Sequence, residues 1–174
     1  MDCLARHQEH HRRPGYWIRE QHRKGTKVLG ICGGYQMLGE SIEDPECVES
    51  SVPVSSDGLG LLPVRTVLAK TKVVRTVSAR TPQGCRFGAY EIHMGRTDTG
   101  GLSPFAHLAD GETDGACGDH VYGTYLHGAL ESPAVVRELF DIDVPALPSS
   151  VHYDRLAEWF RSAANLRLFE DLYL

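Results

Sequence analysis

Long apolar runs are missing from this chain of 174 residues: nothing in it approaches the roughly twenty consecutive apolar residues of a membrane span. Its first residues also lack the apolar core of a secretory signal. Positive charge is not in excess either, and a formal net charge of -5 offers no electrostatic footprint for nucleic acid. The five cysteines (Cys3, Cys32, Cys47, Cys85 and Cys117) include no CxxC pair. An odd count at scattered spacing suits reduced thiols in a cytoplasmic protein, and it speaks against both a disulfide framework and a zinc site. No GxxxxGK(S/T) phosphate loop occurs, and there is no internal repeat. The histidines His7, His10 and His11 stand in an Arg-rich polar stretch, which reads as a solvated helix face. What is present is ordinary for a soluble enzyme domain, with 41% hydrophobic and 24% charged residues. The length suits one domain with a sizeable core.

Within that frame one residue stands out. Cys32 lies in Val28-Leu29-Gly30-Ile31-Cys32-Gly33-Gly34-Tyr35-Gln36-Met37-Leu38-Gly39. A short β-prone run enters it, and a glycine pair followed by a helical pattern leaves it. This is the pattern of a nucleophile elbow, a strained strand-to-helix turn that presents one side chain at the end of a strand. Gly30, Gly33 and Gly34 are expected where a Cβ would collide with a neighbour or where φ must be positive. A cysteine at the start of a helix sees the positive end of the helix dipole, which favours the reactive thiolate. The alternative is a small buried residue at an ordinary βα turn, since free cysteine is often buried.

Far along the chain, Val121-Tyr122-Gly123-Thr124-Tyr125-Leu126-His127-Gly128 reads as a strand that ends at His127. If this strand runs parallel to the Cys32 strand as its neighbour, His127 comes within hydrogen-bonding reach of Cys32, roughly 3–4 Å. A Cys–His pair is the minimum for nucleophilic acyl transfer, because imidazole takes the thiol proton and later returns it to the leaving amine. A histidine simply hydrogen-bonded at a strand end is the alternative. The segment Phe87 to Thr97 carries Glu91 and His93 on one face of a third strand, since side chains repeat with period two. That face is either a functional edge or a solvated one.

The remaining pattern alternates strands and helices. Residues from about Cys3 to Lys24 read as helical, interrupted at Pro14-Gly15, and the elbow helix runs to about Ser41. Ile42 to Gly58 reads as a surface loop. Leu61 to Lys70 and Lys72 to Arg80 read as two strands that pair, followed by Arg86 to His93. Thr97 to Gly118 reads as a long irregular connection. Glu131-Ser132-Pro133 marks the start of a helix from Pro133 to Phe140, Pro145 to Pro148 a linker, and Tyr153 the opening of a closing helix. This order implies a parallel α/β sheet with an antiparallel group inserted between its two chemical ends.

Four ordered runs, GICGGYQMLG, DGLGLLPVRTV, YEIHMGRT and VYGTYLHG, resemble the glutamine amidotransferase domain of cobyric acid synthases, a class I amidotransferase family. The likeness extends from about Val28 to the C-terminus. It implies a flavodoxin-like α/β sheet, with a central parallel part and an antiparallel extension. It also implies glutamine as substrate, with Cys32 as nucleophile and His127 as base and acid. Gly33 would offer one oxyanion N–H, Gln36 would help position glutamine, and Glu91 and His93 would line the glutamine pocket or a domain contact. Class I triads place a Glu two residues after the histidine, where this chain has Ala129; the resembled branch works with a Cys–His dyad. Glu131 is not read as catalytic.

The resemblance further implies what lies outside the domain. Cobyric acid synthases carry additional strands and a second oxyanion loop before the nucleophile strand. Upstream of these they carry a synthetase domain that binds ATP and Mg2+ and holds the corrinoid acceptor. No convincing strand precedes Val28. Residues 1–174 are therefore expected to be the C-terminal portion of a larger synthase, lacking N-terminal strands of the amidotransferase domain. The domain itself is expected to bind no cofactor, metal, nucleic acid or membrane. Alternatives are a non-catalytic amidotransferase-like remnant or binding module, or the amidotransferase of a related synthase acting on cobyrinic acid or lipid II.

Overall fold

A long antiparallel hairpin, β4 (Arg65–Arg80) with β5 (Arg86–Asp98), is the frame on which the rest is hung in this computed structural model, which describes residues 14–145 and 149–173. Before the hairpin come α1 (Pro14–Arg23), β1 (Val28–Ile31), α2 (Gly33–Leu38), β2 (Ser41–Asp44) and β3 (Val54–Asp57). After it come β6 (Ala106–Leu108), β7 (Thr113–Asp114), β8 (Ala116–Cys117), β9 (Val121–Thr124), β10 (Leu126–His127), a 3-10 turn at Ala129–Glu131 and α3 (Pro133–Phe140). Contacts divide the chain after Ile142. The second unit holds α4 (Ser149–Ala163) and α5 (Leu166–Tyr173), which meet through an edge-to-face contact of Phe160 with Phe169 at 5.2 Å.

Two sheets build the first unit. The smaller has the order β1-β9-β8, with β1 and β9 parallel and β1 at its edge. The larger runs β10-β5-β4-β2-β3, with β6 on β4 and β7 on β6. Its pairings are antiparallel except β2 with β4. The expectation of an α/β fold with both parallel and antiparallel strands is met, with the parallel β1–β9 pair and the long antiparallel hairpin lying in two sheets and not in one. Two apolar clusters form the core. Tyr35, Leu38, Leu62, Val64, Val121 and Tyr125 pack around the short helix α2. Phe87, Phe105, Leu108, Leu126, Val135 and Leu139 pack between the hairpin and α3.

Several sequence expectations are corrected. Leu61–Lys70 and Lys72–Arg80 do not pair with each other; from Arg65 on they form one strand, β4, and both parts pair with β5. The polar run Ala69-Lys70-Thr71-Lys72 marks a register shift between Leu68 and Val73, not a turn. The shift moves the inward face from even positions (Thr66, Leu68) to odd ones (Val73, Arg75, Val77, Ala79), as a bulge must when it adds an odd number of residues. The loop expected over Ile42–Gly58 contains the antiparallel pair β2–β3, and the connection over Thr97–Gly118 contains β6, β7 and β8. The elbow helix ends at Leu38, and the closing helix is two helices. Of the helical stretch expected from Cys3 to Lys24, the part described is α1, which opens at Pro14, and the part before Pro14 lies outside the described residues. His7, His10, His11 and Cys3 lie outside the described residues, as does most of the Pro145–Pro148 linker.

Candidate active site

The bend at Cys32 carries its strain on the cysteine itself. Cys32 sits at φ 54° and ψ -115°, a region that non-glycine residues reach only at a cost of about 1–3 kcal/mol. It is held there from both sides: its N–H donates to the Thr124 carbonyl at 2.8 Å, and its carbonyl accepts from the Gln36 N–H at 3.1 Å. Thr124 is the last residue of β9, so the Cys32 turn is tied to the strand leading to His127. Gly30 is required because a Cβ there would come within 2.6 Å of the Gly34 backbone and the Leu38 side chain. The expected need for glycine at 33 and 34 is corrected: neither has positive φ, and a Cβ at either would meet nothing within 4 Å. Gly33 opens α2, so its N–H lies in the first turn, where no intrahelical acceptor is available.

The histidine run is not one strand. β9 pairs with β1 through Ile31↔Thr124, whereas β10 belongs to the other sheet and pairs with β5 through Leu126↔Glu91 and His127↔Tyr90. The chain changes sheets at Tyr125. His127 stacks on its cross-strand partner Tyr90, with ring centroids 5.1 Å apart and planes 10° apart. The Cys32 thiol donates to the Ile92 carbonyl at 3.5 Å, and Ile92 stands two residues beyond Tyr90 on the same strand. The two sequence-predicted residues therefore meet β5 at neighbouring positions. A direct hydrogen bond between them, expected from the sequence, is not formed among the described residues: the thiol is turned to Ile92 and the imidazole lies flat on Tyr90.

Glu91 and His93 do share the other face of β5, as period two requires. Glu91 is buried and forms an ion pair with Arg75 Nε, and Arg75 also reaches Asp110 at 3.0 Å and Glu112 at 2.7 Å. His93 Nδ1 lies 2.9 Å from the Gly95 carbonyl, so Nδ1 carries the proton, and Nε2 faces Glu91 Oε1 at 3.9 Å. The His93 ring stacks on Tyr125 at 3.9 Å, and the Tyr125 hydroxyl hydrogen-bonds to Thr97 Oγ1 at 2.7 Å. The Gln36 side chain donates to the same hydroxyl at 3.4 Å. Gln36 and His93 are thus joined through Tyr125, and Cys32 packs against the apolar cluster to which Tyr125 belongs. Close approach depends on Gly95, where a Cβ would fall 2.3 Å from Gln36 Nε2 and 2.6 Å from the Tyr125 hydroxyl. The four sequence runs therefore converge on one place.

That convergence matches a known domain. Residues 5–135 match the CobB/CobQ-like glutamine amidotransferase domain. The chain belongs to this family. It is 47% identical to a cobyric acid synthase of Rhizorhabdus wittichii over 70% of this chain and 25% of that protein. It is 39% identical to one of Parabacteroides distasonis over 83% of this chain and 32% of that protein, and 50% identical to one of a Ruegeria species over 67% and 25%. The chain spans about a quarter to a third of the length of the curated relatives it matches.

In this amidotransferase domain other residues support the site without having been expected from the sequence. Asp114, nearly buried at 6% exposure, accepts from the Thr124 hydroxyl and from the Tyr125 N–H at 3.2 Å. Desolvation pushes its carboxyl up to about 6, against the pull of those hydrogen bonds. Its setting, Gly111-Glu112-Thr113-Asp114-Gly115, reads locally as turn chemistry, which hides a buried acid. Of the other cysteines, Cys117 is pushed up to about 11, chiefly by desolvation, and so stays a thiol at neutral pH. Among the described residues no three His, Cys, Asp or Glu side chains gather as a metal site, and no helix is long and apolar enough to cross a membrane.

Proposed function

We propose that this domain is the glutaminase part of a cobyric acid synthase, and that Cys32 and His127 carry its chemistry as a dyad. The observation that carries this reading is the positive-φ turn at Cys32, tied by hydrogen bond to Thr124 at 2.8 Å, with His127 three residues further along. In the proposed reaction the Cys32 thiol gives its proton to His127 and the sulfur attacks the side-chain amide carbon of glutamine. The Gly33 N–H stabilises the oxyanion, and His127 returns the proton to the departing ammonia. Water, activated by His127, then cleaves the glutamyl thioester to glutamate and restores the thiol. Gln36, Glu91 and His93 are assigned to the walls of the glutamine pocket; Arg75 holds Glu91 and Tyr125 holds Gln36 and His93. The Sγ–imidazole contact closes when glutamine binds, since catalytic hydrogen bonds are often long in empty sites.

The ammonia would pass to a synthetase domain that uses ATP and Mg2+ to activate carboxylates of a corrinoid, the b, d, e and g side chains of adenosylcobyrinic acid a,c-diamide, in cobalamin synthesis. The wording of YEIHMG and GTYLHG and the names of the matched relatives support this over the cobyrinic acid and lipid II amidating cousins. The length of those relatives supports reading residues 1–174 as one domain of a longer cytoplasmic enzyme. Its flavodoxin-like sheet would gain further strands on the edge of β1 that is unpaired among the described residues. Replacing Cys32 with alanine in the whole protein is expected to abolish glutamine-dependent amidation and spare ammonia-dependent amidation. Equal loss of both would assign Cys32 a structural role.

A non-catalytic role is the second reading, favoured by the thiol's hydrogen bond to Ile92 in place of His127. Residues 1–174 alone are expected to release glutamate from glutamine about 10²–10³ times more slowly than the whole protein, because among the described residues the Gly33 N–H is the one oxyanion donor we assign. Full turnover by the 174-residue chain would mean that it supplies both donors.

A further inference from the structure

Between Thr124 and Leu126 the chain leaves one sheet and joins another. Thr124 is the last residue in register with β1, and Leu126 is the first in register with β5. Tyr125 stands between them, in neither ladder, and is only 5% exposed. A buried N–H without a partner would be costly, so the sheet change needs an acceptor brought from elsewhere in the chain. Asp114 supplies it. Its two carboxylate oxygens each lie 3.2 Å from the Tyr125 N–H, and one accepts the Thr124 hydroxyl. The Thr124 hydroxyl oxygen in turn accepts the Leu126 N–H at 3.0 Å. The three residues immediately before His127 are therefore bound to a single carboxylate, two directly and one through Thr124. The Thr124 carbonyl, meanwhile, holds the Cys32 N–H at 2.8 Å.

Asp114 is itself held firmly. It pairs with Ala106 across β6–β7, and Gly115 behind it lets the chain pass against β9. Gly115 has φ +74°, and a Cβ there would fall 2.1 Å from the Gly123 carbonyl oxygen and 2.7 Å from Phe105 Cβ. The position two residues after His127, where an acid could have reached the imidazole, is the fully buried Ala129. We propose that Asp114 is the positioning residue of this site, acting through Thr124 and Tyr125 to set where His127 stands relative to Cys32. It touches neither substrate nor imidazole in this role; it fixes the backbone from which the imidazole projects. The proposal rests on the reading of Cys32 and His127 as the reacting pair.

The test is made in the native protein that carries this domain. Thr124→Val keeps the shape of the side chain and removes its hydroxyl, Asp114→Asn removes one acceptor, and Thr124→Ser keeps the hydroxyl. Misplacement by about 1 Å can cost on the order of 10²-fold in rate. Glutaminase kcat is expected to fall at least about tenfold in Thr124→Val and Asp114→Asn, with KM within about threefold, and to be restored in Thr124→Ser. A merely structural role would lower the fraction of active molecules, titrated by stoichiometric alkylation of Cys32, and leave kcat per active site unchanged; that result overturns the proposal. Amide exchange at Tyr125 and Leu126 reads the same device without any turnover, and unchanged protection in Asp114→Asn also overturns it. If Asp114→Asn does not fold, Thr124→Val and Thr124→Ser decide. Cys32→Ala, run alongside, separates the two ideas: retained glutaminase there removes the dyad, whereas lost glutaminase there with full kcat in Thr124→Val removes only the role of Asp114.

Discussion

Replacing Gly123 with alanine sets two opposing effects against each other at one atom. Gly123 does not have positive φ, so alanine can adopt its backbone conformation, and the loss of unfolded-state freedom alone would stabilise the protein by about 0.4–1 kcal/mol. The added Cβ, however, would fall 1.9 Å from Tyr35 Cδ2 and 2.3 Å from Cε2. Tyr35 is 1% exposed, packed edge-to-face on Tyr125 at 5.2 Å, and cannot swing outward to make room. Contact at an ordinary distance needs a shift of about 1.5 Å between the ring and β9, and overpacking of a core costs typically about 1–3 kcal/mol. Sterics therefore win over entropy, and net destabilisation is expected at the upper end of that range. For a domain of this size each kcal/mol moves the midpoint by about 2–4 °C, so Tm should fall by roughly 4–12 °C. Thermal unfolding of wild type and Gly123→Ala by circular dichroism measures it. Adding Tyr35→Leu should recover part of the loss, because it removes the ring atoms that the Cβ meets; the two changes would then be non-additive. An unchanged or raised Tm in Gly123→Ala, or strict additivity with Tyr35→Leu, would refute this account of why glycine stands in β9.

Gly34→Ala should behave in the opposite way, since its Cβ meets nothing and the position is helical: a gain of about 0.5–1 kcal/mol is expected, read as a raised Tm. Asp114 should impose a pH dependence on stability. Burial raises its carboxyl to about 6 from 3.8, hydrogen bonds from Thr124 and Tyr125 and the charge of Arg75 opposing the shift, with Glu91 adding to it. The folded state therefore binds this proton more tightly than the unfolded state. Its contribution is fully present below pH 4, is lost as pH rises to about 6, and amounts to about 3 kcal/mol. Asp114→Asn should flatten that slope in urea titrations between pH 4 and pH 7, and an identical slope in the variant would place the raised acid elsewhere.

The strained bend at the glycine-flanked cysteine was legible because a strand-to-helix turn is local: a short apolar strand, a tight bend and a helix start are all written within a dozen neighbouring residues. The same holds for Glu91 and His93 on one face of β5, which needs only the two-residue period, and for the start of α3 at Ser132-Pro133. The roles of the surrounding glycines were harder to read. Gly30 and Gly95 are required by atoms of α2, Tyr125 and Thr66, and Gly33 and Gly34 are not required at all by space or φ. Which atoms approach a glycine is a property of packing, and no local pattern carries it.

What the amino-acid order determined by itself was the set of chemical parts and the kind of element each lies on: a strained thiol after a strand, a histidine at a strand end, and an acid and a second histidine facing one way. The tertiary structure alone decided how those parts are connected. It merged two apparent strands into β4 across a bulge, split the histidine strand between two sheets at Tyr125, and brought Asp114 beneath the split to accept the donors left there. The physical reason is that periodicity and turn chemistry act over a few residues, whereas strand register and the satisfaction of buried N–H groups depend on partners remote in the chain. Those partners become neighbours only when the sheets close.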